Sequence, residues 1–294
     1  MNKKLLHSTC LKCSSENLKE LEDYTNVGLV KCSNCSFVFS QWVPTKKELV
    51  EYYASDYDRT KYFSPITEKR YYELLDKFEK YKSTNRILDI GSGCGFFLQT
   101  AQKRGWEVFG TEIAPSATDN CKDLNINMSY GDINTIGFPE NYFDVVVHIE
   151  VIEHINNPNE YVSEIHKILR PGGITYLTTP NFNAIHRFRL KEKYDVISYP
   201  NHLCYYTSKT LKDLFKSHQL KPIRVKTTGY SFTRLRTSKG KSNQTFVSET
   251  SDDEILRYKI ESNAFLKFFK WSMNGFLNLF KIGDSLKGTF IKSN

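Results

Sequence analysis

Short apolar runs alternate with helix-spaced apolar positions along most of this chain. Ile87–Ile90, Glu107–Glu112, Asn125–Tyr130, Phe143–His148 and Ile174–Thr179 read as strands. Gln99–Arg104 and Val162–Leu169 repeat their apolar residues at helical spacing, and Arg170-Pro171-Gly172-Gly173 reads as the turn that closes the second helix. Lys221–Thr228 and Ser285–Lys292 add two further strands, the last entered through Gly283-Asp284. Strand and helix in alternation predict an α/β fold with a doubly wound, seven-stranded sheet, spanning 84–228 and 283–294.

Three segments break this rhythm. Residues 1–43 hold short strand patterns: Glu20–Lys31 as a pair turning at Thr25-Asn26, and Ser36–Phe39 as a third. Residues 44–83 turn helical and aromatic, with Tyr52, Tyr53, Tyr57, Tyr62, Phe63, Tyr71 and Tyr72 forming either packing between domains or a lid. Residues 229–282 separate two strands that such a sheet usually joins by a short loop. There, Ser238–Glu254 is polar and reads as a mobile loop. Asn263–Ile282 places Leu266, Phe269, Met273, Phe276 and Phe280 at helical spacing, with Phe265, Phe268 and Leu279 widening the arc. Lys267, Lys270, Asn274, Asn278 and Lys281 are expected on the opposite face. This α-helical insert is tethered where the substrate mouth should lie, and it has three candidate partners: a membrane interface, the sheet, or a second subunit of a homo-oligomer.

Cysteine spacing changes the picture at the front. Cys10-x-x-Cys13 and Cys32-x-x-Cys35 are separated by eighteen residues, the spacing of a closed four-thiolate zinc site. About thirty residues cannot fold on apolar burial alone, so zinc would supply the folding energy of a small ribbon. Structural zinc is the plain reading, redox use of one pair the weaker one. Seven cysteines in this arrangement fit a reducing compartment. Neither a secretory signal nor a run of about 20 apolar residues is evident, so a cytoplasmic protein is expected, with peripheral contact at the inner membrane face through 263–282 as an option. The net charge of +8 permits anionic partners and demands none.

The richest motif is Leu88-Asp89-Ile90-Gly91-Ser92-Gly93-Cys94-Gly95-Phe96-Phe97. A strand, an acid and a glycine turn opening a helix let a nucleoside-bearing cofactor lie against bare backbone. Glu112 follows Gly95 by seventeen residues and ends the next strand, where a carboxylate can hold ribose hydroxyls. Dinucleotide-binding domains share both features.

Further motifs decide between them. With Gly131-Asp132-Ile133, the run 144–154 (DVVVHIEVIEH) and the run 169–181 (LRPGGITYLTTPN), the chain resembles class I S-adenosylmethionine-dependent methyltransferases over about 84–228. The likeness is greatest to the ubiquinone O-methyltransferase branch. The ribbon ahead of the domain, and Pro200-Asn201-His202-Leu203 before Tyr206-Thr207, resemble bacterial sugar and glycan methyltransferases. The resemblance implies a Rossmann-like sheet. It implies that Asp89, Gly91 and Gly93 border the methionine end of S-adenosylmethionine, Glu112 the ribose, Asp132 and Ile133 the adenine, and Ile149 the wall beneath the sulfonium, with Gly95 also among the cofactor-binding residues.

Methyl transfer asks mainly for alignment, and a hydroxyl acceptor gains from a base. His154 is the first candidate and His202 the second. Alternatively, Glu150, Glu153 and His154, taken as neighbours on one helical turn, would hold a divalent ion such as Mg2+, with His202 as a fourth ligand. Similar ligands occur in small-RNA 2′-O-methyltransferases. Cys94, Cys121 and Cys204 lack a paired base in the sequence, which weighs against a thiol nucleophile. The leading expectation is O-methylation of a sugar or glycan, lipid-linked if the helix meets a membrane. RNA 2′-O-methylation, ketosugar C-methylation and a non-catalytic docking module are the alternatives, with nucleic acid the weaker partner.

Overall fold

At the front of the chain stand three short strands, β1 (Leu18–Glu20), β2 (Leu29–Cys32) and β3 (Val38–Ser40). They pair antiparallel in that order. The computed structural model describes residues 4–45, 47–49, 62–113, 125–239, 248–249 and 251–293. Tyr52, Tyr53, Tyr57, Cys121, Lys241 and most of the polar loop expected before Glu254 lie outside the described residues. The expected turn at Thr25-Asn26 is instead a 3-10 helix, Glu22–Val27. Its cause is tertiary: Tyr24 and Val27 are buried in a cluster with Phe182, Tyr194 and Tyr205, which a tight hairpin would not reach.

The second, larger sheet contains β4 (Arg86–Ile90), β5 (Glu107–Glu112), β6 (Asn127–Tyr130), β7 (Phe143–Ile149) and β8 (Leu169–Pro180). A short strand, β9 (Cys204–Tyr205), leaves this region to pair with β3 of the front sheet. The large sheet is completed by β10 (Leu220–Thr228) and β11 (Ser285–Lys292). Its order is β10-β11-β8-β7-β4-β5-β6, parallel throughout except that β11 runs antiparallel to both neighbours. The strand order therefore reverses between β4 and β7, the place where open α/β sheets hold ligands at strand C-termini.

Nine helices are described: α1 (Pro65–Phe78), α2 (Phe96–Gln102), α3 (Ile133–Ile136), α4 (Pro158–Ile168), α5 (Ile185–Leu190), α6 (Ser208–Ser217), α7 (Phe232–Thr237), α8 (Asp252–Ser262) and α9 (Ala264–Phe280). The pleat of β7 sorts the core. Val146 joins Leu88, Leu177 and Phe290 under α4 and α6, while Val145 and Val147 join Ile87 and Ile174 under α1 and α2. Burial on both faces explains why Val145–Val147 of β7 run apolar without alternation, between the buried polar residues Asp144 and His148. In α4, Tyr161, Val162, Ile165 and Ile168 make the inward stripe, and Pro158 opens the helix where a missing N–H costs nothing.

One expectation is corrected here. Arg170–Gly173 does not end in a free turn; it lies inside β8, where the register with β7 shifts between Phe143 and Val145. Gly173 sits so close to the β7 backbone that a Cβ would meet the carbonyl oxygens of Asp144 and Phe143 at 3.0 Å. Helix α9 had three candidate partners, and the structure shows which of its sides meets the sheet. Its asparagines face the sheet: Thr227 N–H donates to Asn278 Oδ1 at 3.0 Å, and Gly229 N–H to Asn274 Oδ1 at 2.8 Å. Those amides satisfy edge-strand donors that a phenylalanine could not, so the aromatic side faces outward. Phe265, Trp271 and Leu279 are each more than 70% exposed.

Candidate active site

The C-terminal ends of β4, β5 and β7 open on a cleft of about 630 Å³. Gly91, Glu112, Asp132, Ile133, Ile149, Glu150, Glu153, His154 and His202 all line it. Asp89, Gly93 and Gly95 do not; they build the turn behind its wall.

Backbone geometry makes that wall bare. Gly91 N–H and Ser92 N–H both donate to Thr111 O, at 2.9 and 3.0 Å, which folds the glycine turn onto the end of β5. Gly91 has φ +68°, and a Cβ there would approach Val151 Cγ2 to 2.8 Å. Any side chain would strain the backbone and push into the cleft.

Glu112 closes one side. Its Oε2 accepts from Gly93 N–H at 3.0 Å and its Oε1 from Ile113 N–H at 2.8 Å. Asp89, only 4% exposed, has its carboxyl pushed well above the usual range by burial, and further by the Glu112 charge. Asp132 caps α3, accepting from Asn134 N–H at 2.8 Å, and Ile133 is buried at the cleft edge. Bare backbone at Gly91, a carboxylate at Glu112 and the Ile133 wall suit a nucleoside-bearing cofactor in a cavity of ordinary ligand size.

Beyond Ile149 the chain turns sharply. Glu150 adopts φ +55°, and Ile152–His154 form a 3-10 turn. This turn is fastened to the segment before β9. Leu203 N–H donates to Glu153 O at 2.8 Å, and His154 Nδ1 meets Asn201 O at 2.6 Å. His202 Nδ1 likewise meets Val196 O, at 2.7 Å. A carbonyl only accepts, so each neutral ring carries its proton on Nδ1 and its lone pair on Nε2. The two ring centroids stand 5.0 Å apart. Burial, and then the neighbouring His154, hold the His202 pKa at about 3, so this imidazole is neutral at ordinary pH.

Glu153 completes a cluster in which one ligand atom from each of Glu153, His154 and His202 lies within 4.8 Å of the others. Glu150 is not among them. Its left-handed backbone breaks the expected helical turn, and its Oε1 accepts from Thr178 Oγ1 at 2.7 Å. The Glu153 carboxyl is raised well above its usual range by burial and by the Glu150 charge. Its Oε2 accepts from Thr179 Oγ1 at 2.8 Å, while its Oε1 is buried with no hydrogen-bond partner among the described residues. One carboxylate and two imidazoles do not suit Mg2+, which takes oxygen ligands in octahedral array.

Arg234, on α7, also lines the cleft, and its Nη1 is buried without a hydrogen-bond partner among the described residues. Nothing in the local sequence marks it; the insert had to fold back over the mouth to bring it there.

The front cysteines converge as their spacing predicts. Cys10 Sγ lies 3.6 Å from Cys35 Sγ, and Cys13 Sγ 3.6 Å from Cys32 Sγ. All four ligand atoms fall within 4.8 Å of one another. A tetrahedral zinc with Zn–S bonds near 2.3 Å would set sulfurs about 3.8 Å apart, so the residues fit that ion. Because β3 pairs with β9, the cysteine sheet is joined directly to the segment that carries His202.

Comparison with known proteins agrees with this geometry. Residues 63–225 match a family model described as a methyltransferase domain. A ubiquinone biosynthesis O-methyltransferase of Ruegeria pomeroyi is 33% identical over 104 residues, covering 33% of this chain and 42% of the relative. One of Coxiella burnetii is 29% identical over 103 residues, covering 33% and 44%. The matched stretch thus spans less than half the length of these curated relatives. Among solved structures, a SAM-dependent methyltransferase from Archaeoglobus fulgidus superposes with TM-score 0.53 at 17% identity, over 77% of this chain and 93% of that one. A phosphoethanolamine N-methyltransferase of Haemonchus contortus does so with TM-score 0.54 at 19% identity, over 85% and 58%. At such identities the likeness is one of fold.

Proposed function

From a chain that belongs to the methyltransferase-domain family, we propose an enzyme that transfers a methyl group from S-adenosylmethionine to a hydroxyl of a sugar or glycan. The observation that carries the hydroxyl assignment is the imidazole pair at the cleft mouth, each ring with Nδ1 turned to a carbonyl.

Gly91, Glu112, Asp132, Ile133 and Ile149 would hold the donor, which supplies an electrophilic methyl on a sulfonium. The protein's own contribution is alignment and proton removal. An alcohol that gains a methyl group becomes a protonated ether, a far stronger acid than an imidazolium. Even a ring held at a pKa of about 3 can take that proton late in the transfer. His154 and His202 are therefore the catalytic candidates. Glu153 holds their loops together through its backbone carbonyl.

A polyol acceptor is supported by what else lines the mouth. Asn156, Asn157 and Asn201 offer amides, and Glu153 Oε1 and Arg234 Nη1 are buried polar atoms in need of partners. Zinc in the four-cysteine cluster is read as structural. The outward aromatic face of α9, fringed by Lys267 and Lys281, is read as a peripheral contact with an anionic membrane. No helix among the described residues is long and apolar enough to cross one.

The test is label transfer from methyl-labelled S-adenosylmethionine to nucleotide sugars, polyprenyl-linked glycans and RNA. Base-stable label in a sugar ether is the expected result. Label confined to RNA, or to a carbon of a ketosugar, would replace this reading.

A further inference from the structure

A second cavity, of about 680 Å³, lies on the sheet face between α1 and α8, and nothing in the methyl-transfer site uses it. It is lined by seven basic side chains and one acidic one, Glu73. Strand register explains the concentration. Lys226 on β10 pairs with Lys287 on β11, which pairs with Thr178 on β8. Arg224 pairs with Thr289 one step along the same face. Arg70 and Lys77 of α1 and Arg257 of α8 close the groove from either side.

These charges are poorly neutralised. Arg70 and Arg257 reach Glu261 and Asp253, at 3.7 and 2.8 Å. Lys77, Arg224, Lys226 and Lys287 make no ion pair among the described residues. Like charges directly opposite in a sheet repel, so Lys226 beside Lys287 favours an anion between them. The protein around Lys287, and then Arg70 and Lys77, push its ammonium below the usual range.

The groove also adjoins the cleft. Ile149 lines both cavities. Thr178 lines the groove and donates to Glu150, which lines the cleft. An anion seated among the lysines would thus lie in a cavity adjoining the methyl site.

We infer that this groove binds the diphosphate group of the acceptor, so that the sugar methylated is a glycosyl diphosphate. This rests on the sugar-methylation reading above. Two linked phosphates match paired cations on adjacent strands. A nucleoside diphosphate and a polyprenyl diphosphate present the same group.

Calorimetry on the full chain separates the cases. Inorganic pyrophosphate is titrated into wild type, Lys226→Gln and Lys287→Gln, each saturated with S-adenosylhomocysteine. Binding in wild type that weakens about tenfold or more in either variant, with S-adenosylhomocysteine affinity unchanged, is expected. UDP and phosphatidylcholine vesicles doped with geranylgeranyl diphosphate then identify the source, whichever competes better. Pyrophosphate binding no tighter than sulfate and indifferent to both variants would overturn the inference. So would displacement by a short single-stranded RNA with a steep salt dependence. Failure of S-adenosylhomocysteine to bind wild type would instead sink the methyl-transfer reading, which this experiment therefore reports separately.

Discussion

His154 and His202 meet at the mouth of the cleft with ring centroids 5.0 Å apart, each with Nδ1 turned to a backbone carbonyl. Under the proposed function, this pair removes the acceptor's proton. Replacing either by glutamine should lower kcat by about 10²–10⁴ while leaving S-adenosylhomocysteine affinity intact. Calorimetry and initial rates on the same preparations check this. Unchanged kcat in both variants would remove the histidines from the chemistry.

The pairing of β3 with β9 links the cysteine cluster to His202. Stripping zinc with a chelator, or introducing Cys32→Ser, should unfold the front sheet and free the 200–206 segment. Hydrogen exchange at Cys204 and Tyr205 should then quicken and methyl transfer should fall, with cofactor binding retained. One zinc per chain is the expected stoichiometry. Full activity in metal-free protein would refute this coupling.

Buried imidazoles shape the acid response. Burial holds His148 at about 3, and burial with the His154 charge holds His202 at about 3. Their unfolded pKa is near 6.5, so their stabilisation is present above that pH and is lost as pH falls toward about 3. Each can contribute a slope of up to about 1.4 kcal/mol per pH unit. Asp284, raised to about 6 by burial, acts with the opposite sign, favouring the folded state as pH drops below that value. Urea melts between pH 7.5 and 5 should therefore show a shallower acid loss in His148→Phe than in wild type. An identical slope in the two proteins would show that His148 binds its proton as readily in the native state as in the unfolded one.

The aromatic face of α9 should carry the protein onto anionic vesicles. Trp271→Ser combined with Phe268→Ser leaves the asparagine contacts to β10 intact and should abolish co-flotation. Equal flotation of variant and wild type would show that the face meets something other than lipid.

The large sheet was legible because parallel strands buried on both faces are largely apolar, as Val145–Val147 of β7 are. Ser285–Lys292 was readable to the residue because its ends are set by a glycine turn and the polar tail. The cleft was legible where short local motifs sit at the ends of successive strands, at Gly91, Glu112 and Asp132. Groups assembled from distant segments were not. Arg234 reaches the cleft only through the folded insert, and Lys226 and Lys287 meet only through strand register. Periodicity finds the apolar side of a helix such as α9 but does not say which side docks. Asn274 and Asn278 decide that by bonding the backbone of β10 and its turn, a tertiary event. Glu150 left its expected helical turn because a strand end followed by a 3-10 turn needs a left-handed residue there.

The most direct measurement is calorimetric titration of S-adenosylhomocysteine into wild type, Gly91→Val and Glu112→Ala. The Gly91 side chain would press on Val151, and removing Glu112 takes away the carboxylate that accepts from Gly93. Saturable one-to-one binding in wild type and a loss of at least about tenfold in both variants are the expected results. No binding to wild type, or equal binding to all three, would contradict the assignment of this cleft to the methyl donor.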